Sequence, residues 1–195
     1  LKGHTMRVGD MSIIRGILED HGVPREVQDR IVSPLDKLSS SIDRLELHLE
    51  KAHSKQLSRQ DIKDIARIAD RLRTWRIREA EKASAGKSSI PREHHEFLEE
   101  DPRIYTLEEL YEKQDMEAIG EFIEDTIRGL RKALMLEWTY NGVQTGSQKY
   151  RIAPEAAEKL VELIAVSGSP GKAVERAGEI LGGLERSTRA LERFK

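Results

Sequence analysis

The sequence predicts an all-α protein, a multi-helix bundle of long amphipathic helices with at most one small β-hairpin near 139–152. Three observations predict it. Leu, Ile and Ala recur at spacings of three and four through most of the chain, the period of one helix face. Charged residues make up 35% and aromatics 5%, a balance that suits helices with polar outer faces and not aromatic-rich strands. Helix-start signatures, Ser or Thr followed three residues later by an acid, precede several of these runs.

The elements follow in order. A short helix spans about 11–20 and closes at Gly22, and Pro24 opens a second short one. Ser33-Pro34-Leu35-Asp36 is read as the start of a third helix, with Leu35, Leu38, Ile42, Leu45, Leu49 and Ala52 forming a heptad seam. Ser58-Arg59-Gln60-Asp61 starts a fourth, with Ile62, Ile65, Ala69 and Leu72 on one face and an end near Ser84–Gly86. Because the link between these two helices is short, they are expected to form an antiparallel hairpin. Residues 86–106 break the helical pattern with two prolines and read as an exposed connection. Thr106-Leu107-Glu108-Glu109 is taken as the next start, and Asp115 as the cap of a helix with Ile119, Phe122, Ile123, Ile127, Leu130, Ala133 and Leu134 on one face. Asn141-Gly142 is the best short turn signal. Pro154 opens a helix to about 167, and Ser169-Pro170 opens the last, with Ala177, Leu181, Leu184, Thr188 and Leu191 aligned.

This divides the chain into 1–10, read as a disordered N-terminus or tag remnant; 11–85, an N-terminal helical hairpin region; 86–106, a connection; and 107–195, a C-terminal helical region, all within one compact domain. There is no cysteine, which excludes disulfides and thiolate metal sites and points to a cytoplasmic protein. No apolar run is long enough to span a bilayer, so no membrane partner is expected. Asn occurs once, at Asn141, while Glu and Arg are abundant; this composition predicts a thermophilic source.

The net charge of −2 conceals local asymmetry. Residues 93–125 carry 13 acids against two cations, Arg103 and Lys113, whereas residues 58–87 carry nine cations and five acids. On the helix from 59 to 84, Lys63, Arg67, Arg71, Thr74, Arg78 and Lys82 fall within a sector of about 100°, opposite the apolar face. Such a rail suits an acidic protein partner, the chain's own 93–125 segment, or nucleic-acid phosphates, with Trp75 near one flank as a stacking surface.

Carboxylates offer a second candidate site. Glu108-Glu109-Leu110-Tyr111-Glu112 fits EExxE, and Glu121-Phe122-Ile123-Glu124-Asp125 follows it. The pair resembles the all-α nucleoside-triphosphate pyrophosphohydrolases, which combine EExxE with ExxD across a four-helix bundle. The resemblance implies a Mg²⁺-dependent nucleotide hydrolase holding its metal through Glu109, Glu112, Glu121 and Glu124. It covers residues 108–125 alone and departs from the pattern, with Glu124 where Asp is expected.

Three weaker signals fail on their own chemistry. Ser167-Gly168-Ser169-Pro170-Gly171-Lys172 lacks the first glycine and the final Ser or Thr of a phosphate loop. His94 and His95 are adjacent, so they point in different directions. A winged helix would need a more basic helix after the candidate hairpin than residues 155–166 provide. The leading expectation is therefore an interaction or assembly protein, non-enzymatic, needing no cofactor and prone to self-association. The rivals are a nucleic-acid-binding module using Lys63, Arg67, Arg71, Arg78 and Lys82, and the Mg²⁺-dependent hydrolase.

Overall fold

The computed structural model describes residues 6–7, 11–164, 166–168 and 170–184. Among them the chain forms helices α1 (Met11–Asp20), α2 (Arg25–His53), α3 (Arg59–Ser84), α4 (Arg103–Glu112), α5 (Met116–Leu136), α6 (Pro154–Leu163) and α7 (Pro170–Ile180). A 3₁₀ helix covers Arg92–Leu98, and a short π-helical turn covers Glu137–Asn141. The strands are β1 (Met6–Arg7), β2 (Val143–Thr145), β3 (Gln148–Tyr150) and β4 (Ser167–Gly168). The protein is all-α with a small antiparallel hairpin, β2–β3, where the sequence placed it. No helix among the described residues is long and apolar enough to cross a membrane.

Backbone contacts divide the chain into two units, residues 1–39 with 137–195, and residues 40–136. The boundary falls inside α2, and residues 86–106 belong wholly to the second unit. In the first unit α1 buries Ile13, Ile14, Ile17 and Leu18, and α6 buries Ala156, Ala157, Leu160, Val161 and Leu163. The N-terminal part of α2 adds Val27, Ile31, Leu35 and Leu38, and Trp138 in the π turn is 2% exposed. Arg15 pairs with Asp29 at 2.8 Å, and Lys159 donates to the C-terminal carbonyl of α7 at Ile180. β1 and β4 form a two-residue antiparallel pair that the sequence did not announce; two residues carry no alternation to detect. Met6 and Arg7 are thus paired and not structureless.

The second unit is built around α3. Ile62, Ile65, Ile68, Ala69 and Leu72 are buried, as are Ile42, Leu45 and Ala52 of α2 and Ile119, Phe122, Ile123, Ile127 and Ala133 of α5. Helices α3 and α5 approach closely at Gly129, where a Cβ would lie 2.5 Å from Cδ2 of Leu72.

Four helix ends share one device. After α1, α2, α3 and α4 a residue in the left-handed region (Gly22, Lys55, Gly86, Gln114) lets two amides turn back onto the last helical carbonyls. After α2, for example, Lys55 donates to Ala52 O at 3.0 Å and Gln56 to Lys51 O at 2.7 Å.

Three boundaries differ from expectation. Pro34 lies inside α2 and starts nothing. Its ring removes the amide that would meet the Arg30 carbonyl, but the buried stripe Val27, Ile31, Leu35, Leu38 runs through it at helical spacing, so tertiary burial outweighs the proline. The α4 helix begins at Arg103, placing Thr106 inside it; the Asp101 carboxylate accepts the Arg103 amide at 3.0 Å and supplies the start. The hairpin turns at Gly146-Ser147, not Asn141-Gly142, because Asn141 is taken up by the π turn, where its side chain donates to Glu137 at 2.7 Å. The cap at Asp115 holds, accepting the Ala118 amide at 3.1 Å. Thr188 and Leu191 lie outside the described residues.

Two stability outcomes follow. Gly129→Val forces α3 and α5 apart against buried Leu72 and is expected to cost roughly 1–3 kcal/mol, with part recovered when Leu72→Ala is added; urea unfolding of the single and double variants measures this. Lys55→Gly removes a side chain from a left-handed position and is expected to stabilise by about 0.5–1 kcal/mol, read as a raised unfolding midpoint.

Candidate functional site

The basic rail survives folding as an outward face of α3. Lys63, Arg67, Arg71, Thr74 and Arg78 are exposed and Lys82 is half-buried. The helix spans the rail from Lys63 to Lys82 over about 28 Å. Its N-terminus is fixed by a capping box. Ser58 Oγ accepts the Asp61 amide at 3.2 Å, and Asp61 Oδ2 accepts the Ser58 amide at 2.8 Å.

The rail is unevenly neutralised. Arg67 pairs with Asp64 on its own helix. Arg78 and Lys82 pair with Glu79, at 3.1 and 2.7 Å, whose side chain is wholly buried. Lys63 and Arg71 have no acid within ion-pair distance among the described residues.

The acidic segment 93–125 does meet α3, but on other cations. Arg73 donates to Glu100 and to the Tyr105 hydroxyl, both at 2.8 Å, and lies 5.3 Å from the Tyr105 ring centre. Arg59 pairs with Glu112. Arg103 joins Asp101 to Asp125, and Arg128 also pairs with Asp125. Burial opposes ionisation of Asp101, but the Arg103 hydrogen bonds outweigh it and hold the carboxyl below its ordinary value; Tyr105 and then Arg73 do the same for exposed Glu100. The Arg73 guanidinium is held above its ordinary value by Glu100, then Tyr105 and Asp70. Thus the acidic stretch neutralises Arg59, Arg73 and Arg103 and leaves the rail open.

Beneath these pairs lies a cavity of about 40 Å³ lined by Leu72, Arg73, Arg76, Asp101, Phe122 and Asp125, among others, room for a few waters and no substrate. Burial pulls Arg76 below its ordinary value, offset by the charges of Asp101 and Asp125. Its guanidinium sits 4.6 Å from the Phe97 ring centre, with Lys132 at 4.8 Å from the same ring. Trp75 is half-buried, tilted against Phe97 at 6.1 Å, so it is not a free stacking platform at the flank of the rail.

One polar cluster carried no sequence signal beyond its residue types. His48 is 6% exposed, with Nε2 3.0 Å from Asp64 Oδ2 and Nδ1 3.2 Å from Asp61 Oδ1, the latter off the hydrogen-bond line. Lys51 Nζ donates to Asp61 Oδ1 at 2.7 Å, and the Ser58 hydroxyl donates to Asp61 Oδ2 at 2.6 Å. Burial raises the cost of the Asp61 charge, but the bonds from Lys51 and Ser58 outweigh it and lower the carboxyl to about 2. Asp64 is lowered likewise, burial being overcome by His48 and Arg67. Helices α2 and α3 together make His48 the centre of an ion cluster.

The four candidate Mg²⁺ ligands are not gathered. All are exposed. Glu109 faces Lys113 at 3.9 Å and Glu112 faces Arg59, whereas Glu121 and Glu124 line a separate cleft with Gly120 and His53. Among the described residues no three His, Asp or Glu side chains stand together to hold a metal ion. The motif spacing is correct along each helix, but helix rotation directs the two pairs to different surroundings. His95 is 3.0 Å from the Ile90 carbonyl and His94 is 3.8 Å from Glu93, so these two neighbours also diverge. No protein-family model, curated protein sequence or solved structure matches the chain.

The depressed carboxyls set an acid response. Asp61 contributes stability that is present above the ordinary carboxylate value near 3.8 and is lost as pH falls toward about 2, and Asp64, also lowered, acts in the same direction. Asp61→Asn is expected to lower stability at neutral pH and flatten its pH dependence across that window, measured by denaturant unfolding at a series of pH values. Ser58→Ala removes the cap and one bond to Asp61, at an expected cost of roughly 0.5–2 kcal/mol at neutral pH.

Proposed function

We propose that this protein is a non-enzymatic helical interaction and assembly protein that takes an acidic protein partner along the cationic face of α3. The observation that carries the reading is the partition of charge. The chain's own 13-acid segment binds Arg59, Arg73 and Arg103 and leaves Lys63 and Arg71 exposed without an ion pair among the described residues. An exposed, mainly cationic ridge on a rigid, well-capped helix steers an oppositely charged partner and sets its register.

The ridge favours a protein over a nucleic acid. Asp64, Asp70 and Glu81 flank it, and these would repel a continuous phosphate backbone while pairing with interspersed cations of a protein surface. The occupied ring of Trp75 removes the base-stacking element such a binder would use.

The test compares poly-L-glutamate with a DNA duplex as probes, by fluorescence anisotropy at low and high salt. The expected result is salt-sensitive binding of poly-L-glutamate, weakened by roughly tenfold or more in Lys63→Glu/Arg71→Glu, with unchanged helical circular dichroism. These two residues are chosen because neither holds an intrachain ion pair among the described residues. Tighter binding of DNA would favour the nucleic-acid reading, and no binding of either probe would remove the rail as a docking surface.

A further inference from the structure

We infer that the acidic partner of the rail is a second copy of this chain, docking through α5. The inference rests on the reading of α3 as a cationic docking face and names its occupant.

Helix α5 presents Glu117, Glu121 and Glu124 at i, i+4 and i+7, all exposed and without a cation in ion-pair reach among the described residues. They form one rim of an open cleft of about 410 Å³ floored by Ala52, Met116 and Gly120, with His53 and Lys55 on its other side. Gly120 carries no side chain, and even an added Cβ would have only ordinary contacts, 3.6 Å to Leu49 and 3.9 Å to His53. Gly120 is thus buried against Leu49 and His53 of α2, and the exposed glutamates, not the glycine, form the docking edge.

The spacing of the two surfaces matches. At 1.5 Å per residue, Lys63, Arg67 and Arg71 rise by about 6 and 6 Å, and Glu117, Glu121 and Glu124 by about 6 and 4.5 Å. Lys63 and Arg71, with Arg67 between them already shared with Asp64, thus stand opposite the three carboxylates within about 1.5 Å of common register along near-parallel axes, well inside the reach of these flexible side chains. Both surfaces belong to the same unit, residues 40–136, so every copy carries one of each. Copies pair either reciprocally, as a closed dimer, or head to tail in a chain. Because the contacts are exposed ion pairs with a small apolar floor, the assembly is salt-sensitive.

Light scattering behind size exclusion, run on the full chain at low and high salt over a range of concentrations, tests this. The expected result is a mass above 22.2 kDa at low salt that falls to 22.2 kDa at high salt. Lys63→Glu/Arg71→Glu and Glu121→Lys/Glu124→Lys should each remain monomeric at low salt with wild-type helicity. Mixing these two variants should restore the larger mass, since the intact rail of one meets the intact glutamates of the other. A wild-type monomer at low salt at every concentration overturns the inference, as does a multimer that high salt leaves intact or that neither variant disrupts. Poly-L-glutamate binding separates the two levels. A monomer that still binds it through Lys63 and Arg71 refutes self-docking alone, whereas a monomer that does not bind it refutes the docking face as well.

Discussion

The carboxylate of Asp61 is the constraint on which the second unit's geometry depends. It is 8% exposed, yet it receives the Ser58 amide and hydroxyl, the Lys51 ammonium and the imidazole contact of His48. A buried charge with one partner is costly; with three donors on its two oxygens and the His48 ring beside them it becomes a rigid joint. Through Ser58 it fixes where α3 starts, and through Lys51 and His48 it fixes α2 against α3. The turn between them is then short enough to place Lys55 in the left-handed region despite its side chain. Asp64, one turn further along α3, repeats the grip on His48 and adds Arg67.

With α3 held in this way, its cations divide into two populations. Arg59, Arg73 and Arg76 face the 3₁₀ helix, α4 and α5, where carboxylates and the Phe97 ring receive them. Lys63 and Arg71 project from the exposed ridge and hold no ion pair among the described residues. Arg59 meets Glu112 in the open, but at Arg73 and Arg76 desolvation favours the pairing. Arg73 and Arg76 lie next to the apolar seam and are partly buried, so a partner there offsets a larger penalty than on the exposed ridge, where water already solvates the charge. The open ridge is the residue of that competition, and it is also the surface best suited to a partner.

The boundaries that sequence reasoning misplaced have a common cause. Pro34, Thr106 and Asn141-Gly142 are local signals, and each was overridden by something distant in the chain or absent from the code of starts and turns. The buried stripe of α2 carries the helix through Pro34. The Asp101 side chain starts α4 three residues before Thr106. The Asn141 side chain is engaged by Glu137. Gln114 and Lys55 close helices in the left-handed region as Gly22 and Gly86 do, but without the glycine that would announce it. By contrast, the capping box at Ser58 and the cap at Asp115 were readable, because their partners lie three residues away.

The sequence by itself determined the helical class, the apolar faces of α2, α3 and α5, the hairpin near 139–152 and the existence of a cationic stripe. These are properties of periodicity, and periodicity is local. Tertiary structure alone decided that His48 sits between two aspartates, that Glu109 and Glu112 part from Glu121 and Glu124, and that the acidic segment binds Arg73 and Arg103 in preference to the rail. Such facts depend on the rotation of one helix against another. That rotation is set by long-range packing, as at Gly129 against Leu72, which no spacing within a single helix encodes.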